Sequence, residues 1–360
     1  MALGKTIQGD VLIVAEHLFT FRSLAADEIP WKTLDSFEDR VVFQTREWLD
    51  FIAESQGARP VVAEIRDGST VAGYFSGLVV RKFGMRILGS SFPGWTTPYI
   101  GFNLRSGYSR SDLLAPLTHW AFHELGCIHL EVSDRAFAAH DANGAKLDAT
   151  AYETYKSDLT KSEDALFGAM ESACRRCIRK AEKSGVVVEE AHDAAFADEY
   201  YAQLKDVFAK QGKVPTYSVE RVRCLLKHML STGNLLAVRA RTADGRCIAT
   251  SLYPGMNDRA FFWGNASWRA DQQWRPNELL HWYALRYWKR RGARLFDWGG
   301  GGTYKEKYGV EPYAVPWFYK SRYRLLTTIR NEARALFYKS QRLVGRLHGV
   351  DHRAIPAPAD

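Results

Sequence analysis

Apolar and polar positions along the chain follow two rhythms. Between 45 and 55, Trp48, Leu49, Phe51 and Ile52 recur at helical spacing, and Thr45 is placed to cap the first turn. Segments 60–65 and 71–80 are rich in strand formers, and Arg66-Asp67-Gly68-Ser69 between them predicts a hairpin turn. Strands are expected over 11–16, 85–88 and 127–132, and a helix over 111–125. The stretch around Pro30 and Trp31 reads as irregular, and 90–103, with its prolines and glycines, as a loop.

The second half has a similar order. A helix is expected over 162–184, a strand over 186–189, and helices over 193–210 and 218–231. Strands over 234–241, 247–256 and 259–266 follow, with turns at Asp244-Gly245 and Asn257-Asp258. A helix over 276–291 then leads to a strand over 294–298. The link between halves is expected within 138–151, a stretch rich in Ala, Asp, Asn and Gly. The 360-residue length suits two domains, expected at 11–150 and 151–318.

Composition narrows the class. The apolar share of 46% and charged share of 25% are ordinary for a globular protein, while 11 Trp, 17 Tyr and 19 Phe could line a cleft as well as fill two cores. The longest apolar runs, 11–15 and 77–80, fall far short of the ~18 residues that span a bilayer. No secretory leader is read at the N-terminus. Five scattered cysteines do not make a disulfide framework. Cys174 and Cys177 flank Arg175 and Arg176 in a basic helical stretch, unlike a redox motif. Reduced thiols and a cytoplasmic location are expected.

The net charge of +8 is concentrated in one place. Between 318 and 346 there are eight basic residues against Glu332 alone, which gives +7. Apolar positions such as Leu325, Leu326, Ile329, Leu336 and Phe337 recur among these cations. A basic amphipathic helix is therefore expected over 319–347, followed by a disordered tail over 348–360. Such a helix would dock on the body or make peripheral contact with anionic lipid at the inner face of the membrane.

Three motifs carry a family resemblance. Arg175-Arg176-Cys177-Ile178-Arg179-Lys180-Ala181, followed by Gly185-Val186, resembles the basic helix that opens the second domain of FemAB-like proteins in the GNAT superfamily. Arg275-Pro276-Asn277-Glu278-Leu279-Leu280 with Trp282 is similar to their helix after the splayed central strands. Phe296-Asp297, the glycines 299–302, Tyr304-Lys305 and Tyr308-Gly309 resemble their closing signature. The resemblance covers roughly 41–318 and is stronger in the second half. It implies an α/β protein with mixed sheets, in which two GNAT-like domains pack around a common cleft.

The implied activity is transfer of an acyl or aminoacyl group to an amine. The donor would be an acyl-CoA-type co-substrate or an aminoacyl-tRNA, with no tightly bound cofactor. The acceptor would be an amine of a saccharide or peptide envelope precursor, small or lipid-linked, and nucleic acid is a partner only if tRNA is the donor. The chain lacks room for the coiled-coil arm of some cell-wall members, which favours an acyl-CoA type donor. A degenerate fold kept as a binding module is the remaining alternative.

Acyl transfer needs a neutral amine, a polarised carbonyl and a stabilised leaving group. The resemblance places the polarising backbone N–H groups on the strand over 261–266. Donor phosphates would lie at the N-terminus of the following helix, near Arg269, Arg275 and Asn277, although no glycine-rich phosphate loop lies between Ser267 and Asn277. Gly300 and Gly301 allow close backbone approach to a ligand. Lys305 could offset developing negative charge and Tyr304 protonate the leaving group; Asp297 could orient Lys305, take the amine proton or cap the turn. On the acceptor side, Trp95, Tyr99 and Asn103 share a loop, and Arg175, Arg176 and Arg179 could meet phosphates. No metal site is expected, because His119, His123, Cys127 and His129 lack the glutamate that a catalytic His pair requires.

Overall fold

The computed structural model describes residues 18–82, 84–209 and 213–323. In chain order the first half contains β1 (Phe19–Ser23), α1 (Trp31–Asp35), α2 (Arg46–Gln56), β2 (Arg59–Asp67), β3 (Thr70–Lys82) and β4 (Met85–Gly89). β5 (Gly101–Leu104), α3 (Leu114–His119), β6 (His129–Ser133) and α4 (Asp141–Gly144) complete it. The second half begins with β7 (Asp148–Asp158), α5 (Glu163–Ala169), α6 (Ser172–Lys183), β8 (Val187–Glu190), α7 (Phe196–Ala209) and α8 (Val219–Met229). It continues with β9 (Leu235–Arg241), β10 (Cys247–Met256), β11 (Arg259–Phe261), β12 (Gly264–Ser267), α9 (Pro276–Arg290), β13 (Leu295–Asp297) and β14 (Glu311–Ser321).

One mixed sheet of 14 strands joins these elements, in the order β1-β2-β3-β4-β6-β14-β7-β13-β11-β10-β9-β8. β5 pairs with β3, and β12 pairs with β10. The strands of the two halves meet at β14, antiparallel to β6 on one side and to β7 on the other.

Local chemistry explains the elements that pattern predicts. The Thr45 hydroxyl accepts the Trp48 N–H at 3.3 Å and starts α2, and Gly57 ends it at φ +65°. The buried face of α2, with Trp48, Leu49, Phe51 and Ile52, packs on Val222, Leu225, Leu226 and Met229 of α8. That contact belongs to a hydrophobic core shared by both halves. Separate cores lie under the first-half and second-half sheets.

Several expectations change. The helix predicted over 162–184 is two helices, because Met170 leaves the helical region with ψ 149°. Arg175 caps the break by donating to the carbonyl oxygens of Gly168, at 2.8 Å, and Met170. The strand predicted over 259–266 divides into β11 and β12 around Phe262 and Trp263. The segment expected to link the halves holds α4 and the first residues of β7. The region around Trp31 contains a short helix, and the helix predicted over 111–125 widens into a π turn over Trp120–Glu124.

β14 carries Pro312 and Pro316, which disguise it in the sequence. β6 pairs only with Trp317–Ser321, so β14 has one neighbour where the prolines fall and needs no donor on its other edge. Residues 319–321 end this strand rather than begin a helix. The rest of the expected basic helix from 324 on, the tail over 348–360 and the strand over 11–16 lie outside the described residues. Among the described residues, no helix is long and apolar enough to cross a membrane.

Candidate functional site at the fork of two strands

β11 runs parallel to β13 for three rungs, the last pairing Phe261 with Asp297. The Phe262 N–H still reaches the Asp297 carbonyl at 2.8 Å, but the Trp263 N–H turns to Leu252 at 3.0 Å. From Gly264 onward β12 follows β10 alone. The edge that β12 turns towards β13 therefore carries backbone N–H and C=O groups outside any ladder. Gly264 permits this departure, since a Cβ there would lie 2.3 Å from the Tyr200 hydroxyl oxygen.

The loop between β4 and β5 faces this fork from the first half. Ser90 accepts the Ser133 N–H at 2.8 Å, and the Ile100 N–H closes the loop on the Ser90 carbonyl at 2.7 Å. The Trp48 indole donates to the Thr97 hydroxyl at 3.2 Å. Arg221, on α8 of the other half, donates to the Trp95 carbonyl and, at 3.0 Å, to the Thr96 hydroxyl. Its guanidinium stacks over Tyr217 and Trp263, 5.4 and 5.9 Å from the ring centres. Thr96 sits at φ +52°, a strained conformation held by these contacts.

Between loop and fork lies a cavity of about 440 Å³. Phe92, Pro93, Thr96, Thr97 and Pro98 wall it on the first-half side. Phe261, Phe262 and Trp263 come from the fork, and Trp298, Gly299 and Gly300 from the turn after β13. Thr150, Ala151, Tyr152 and Trp317 contribute from β7 and β14. Asp297 is the only carboxylate in the wall, and no lysine, arginine or histidine lines it among the described residues.

Asp297 is buried and highly coordinated. One oxygen accepts the Thr154 hydroxyl at 3.1 Å and the Gly299 N–H at 2.8 Å; the other accepts the Tyr313 hydroxyl. A carboxylate has about four lone-pair sites, so roughly one remains for a ligand. Burial raises its pKa above the ordinary carboxylate value, against the pull of Tyr313 and Gly299.

The turn after Asp297 has left-handed backbone at Gly299 (φ +57°) and Gly300 (φ +48°), which makes glycine the natural residue at both. Lys305 holds this turn. Its ammonium donates to the carbonyl oxygens of Trp298 at 2.8 Å, Gly300 at 2.9 Å, and Gly299. All three N–H groups are engaged, and the residue is 3% exposed. Burial brings its pKa down to about 8, with Asp297 acting in the opposite direction. Tyr304 lies 53% exposed beside Lys305, and neither it nor Gly301 is in the cavity wall.

The remaining sequence candidates fall into three places. Arg269 and Arg275 are exposed near the N-terminus of α9, where Asn277 donates to the Ser267 hydroxyl at 3.2 Å and keeps its own Oδ1 buried without a partner. Arg275 has φ +56°, and a tight helical turn over Arg269–Trp274 occupies the position of a glycine-rich phosphate loop. On the first-half side, Trp95 packs on Phe92 at 4.9 Å next to the cavity. Tyr99 is buried behind the wall, where Arg259 donates to its hydroxyl at 2.9 Å. Asn103 belongs to a buried network with Arg40, Asp39 and Gln44. On α6, Arg175 caps α5, Arg179 lies 5.2 Å over the Phe167 ring, and Arg176 is exposed. The His119 and His123 rings stack on each other at 4.5 Å.

Pattern alone passes over Arg221, Tyr313, Thr154 and His281. His281 on α9 is buried among Phe262, Trp298 and Tyr308, and its Nδ1 is 2.8 Å from the Tyr253 hydroxyl oxygen. The periodic apolar face of α9 was a signal that it points inward.

Comparison with known proteins finds a matching family model and solved structures of similar fold. The family described as "Acetyltransferase (GNAT) domain" matches residues 169–313, which hold the fork, α9 and the glycine turn. The crystal structure of FemX superposes with a TM-score of 0.66 at 12% identity, covering 82% of this chain and 96% of that one. A conserved protein of unknown function from Bacteroides thetaiotaomicron gives 0.51 at 12% identity, over 83% and 98% of the two chains. A tandem GNAT protein from the clavulanic acid biosynthesis pathway gives 0.48 at 12% identity, over 85% and 99%. No curated protein matches the sequence.

Proposed function

We propose that the chain, a GNAT-superfamily acyltransferase of FemAB-like build, moves an acyl group from an acyl-CoA-type donor to an amine of a saccharide or peptide envelope precursor. The observation that carries this reading is the fork opening into a cavity built by both halves, with one partly free carboxylate at its edge. The donor thioester lies along the open edge of β12, whose N–H groups polarise its carbonyl. Its phosphates meet the N-terminus of α9, where Arg269, Arg275 and Asn277 gather. The left-handed Arg275 costs about 1–3 kcal/mol of backbone strain, which suits a position kept for a ligand.

The amine enters from the first-half side and donates an N–H to the remaining lone pair of Asp297. Its nitrogen attacks the carbonyl carbon, Asp297 takes the proton, and the C–S bond breaks as the thiolate leaves. A raised pKa makes Asp297 a better base than an ordinary carboxylate. Lys305 acts as a positioning residue: it fixes the turn whose Gly299 N–H orients Asp297. Tyr304 stands on the solvent side of the same turn, where the leaving group departs.

The test is amine-dependent release of CoA thiol from acetyl-CoA and octanoyl-CoA, using glucosamine and a lysine-containing muramyl peptide as acceptors. We expect thiol release together with a product mass increased by the acyl group. Transfer from alanyl-tRNA without any from the CoA thioesters would replace this reading by the aminoacyl one. No transfer from either donor would favour a binding module.

A further inference from the structure

The composition of the cavity wall bears on which acyl group is carried. Of its 18 lining residues, 11 are aromatic, proline or alanine and three are glycine. Three threonines and Asp297 are the only others. Two of the threonine hydroxyls are already engaged, Thr96 by Arg221 and Thr97 by Trp48. Asp297 has three of its lone pairs occupied by Thr154, Tyr313 and Gly299. The Tyr152 hydroxyl and the Trp263 indole N–H are buried there without partners, so a charged acyl group would find only these few polar groups in return for its hydration. An aminoacyl group brings an ammonium that needs a carboxylate besides the one the acceptor amine uses.

Size points the same way. The 440 Å³ space exceeds what a two-carbon acetyl group fills. At about 30 Å³ for each water-sized group it has room for roughly fifteen such groups. The space is continuous with the fork, since Phe261, Phe262 and Trp263 line it directly beyond the point where β12 leaves β13.

We propose that this cavity receives an uncharged acyl chain of medium length, longer than acetyl and within the roughly fifteen groups that volume admits, so that the enzyme prefers a fatty acyl donor to an acetyl donor. The proposal rests on the acyl-CoA reading above. Ala151 is exposed on β7 at the cavity wall, opposite Pro316 of β14, and takes no part in the chemistry. Ala151 lies five residues along β7 from Lys156, which pairs with Asp297, so an indole there adds bulk at the part of the wall away from that rung.

Affinities for CoA, acetyl-CoA, octanoyl-CoA and succinyl-CoA are measured by calorimetry on the full chain and on Ala151→Trp. The expected result is octanoyl-CoA binding at least tenfold tighter than acetyl-CoA, with succinyl-CoA no better than acetyl-CoA. In Ala151→Trp the octanoyl advantage should vanish while acetyl-CoA binds within twofold of wild type. Equal affinity for acetyl-CoA and octanoyl-CoA would overturn the chain-length inference and leave the acyl-CoA reading standing. An octanoyl advantage that survives in Ala151→Trp would also overturn it, by placing the chain elsewhere. If neither CoA nor any thioester binds, the acyl-CoA reading fails first and this inference falls with it.

Discussion

Lys305→Met should lower the rate of acyl transfer by about 100-fold, the scale expected when reacting groups are misplaced by about an ångström. The ammonium donates to three successive carbonyl oxygens, those of Trp298, Gly299 and Gly300. Methionine fills a similar volume but leaves these acceptors without a donor, and each buried unpaired group costs about 1–3 kcal/mol. The turn escapes that cost by opening, which carries the Gly299 N–H away from Asp297. Melting temperature and circular dichroism, read beside the rate, separate this from unfolding. We expect a folded, less stable protein whose KM for the donor changes less than its kcat. A folded variant with wild-type kcat would show that the ordered turn is dispensable for transfer.

Stability should fall steeply in mild acid because of His281. Burial, with Lys307 and Lys305 nearby, pulls its pKa down to about 3. An exposed histidine in the unfolded chain titrates near 6.5. Between these values the unfolded state binds the proton and the folded state does not, so unfolding is favoured progressively as pH falls. The contribution is fully present above about pH 6.5 and should decline by about 1.4 kcal/mol per pH unit below it, or roughly 2 kcal/mol by pH 5. Urea unfolding at pH 7.5, 6.5, 5.5 and 5.0 measures this slope. His281→Asn, which cannot titrate, should be less stable at neutral pH yet show a shallower slope by about that amount. Parallel slopes for the two proteins would mean that His281 is not held neutral. The effect reaches the site, because His281 packs on Phe262 and Trp298, both in the cavity wall.

Much of the frame could be read from pattern because it depends on neighbours in sequence. Thr45 announces α2, Asp67-Gly68 announces the β2–β3 turn, and Pro276 announces α9. The glycines after Asp297 mark a special turn for the same local reason. What pattern missed depends on partners distant in the chain. The division of β11 from β12 leaves no mark on Phe262 and Trp263, both good strand formers, and becomes intelligible only once Tyr200 is found against Gly264. β7 and β14 escaped notice because one is polar-rich and the other holds two prolines, and with them went Thr154 and Tyr313, two of the three groups that hold Asp297.

Cations were the least legible residues. Sequence marks Arg175 and Lys305 as positive, but both spend their charge on backbone carbonyls that only the fold assembles. Arg221 carries no motif, although it binds a loop residue 125 positions away and sets one wall of the cavity. Asn103 shows the converse: a polar residue on a suggestive loop is taken up by a buried network instead.

The central claim is that the transferred acyl group lies in the cavity between the fork and the first-half loop. Photolabelling with an acyl-CoA carrying a diazirine midway along its chain, followed by peptide mapping, tests it most directly. The account predicts crosslinks within 92–98, 150–152, 261–263 and 297–300, suppressed by excess octanoyl-CoA. Competable crosslinks confined to other surfaces would contradict it.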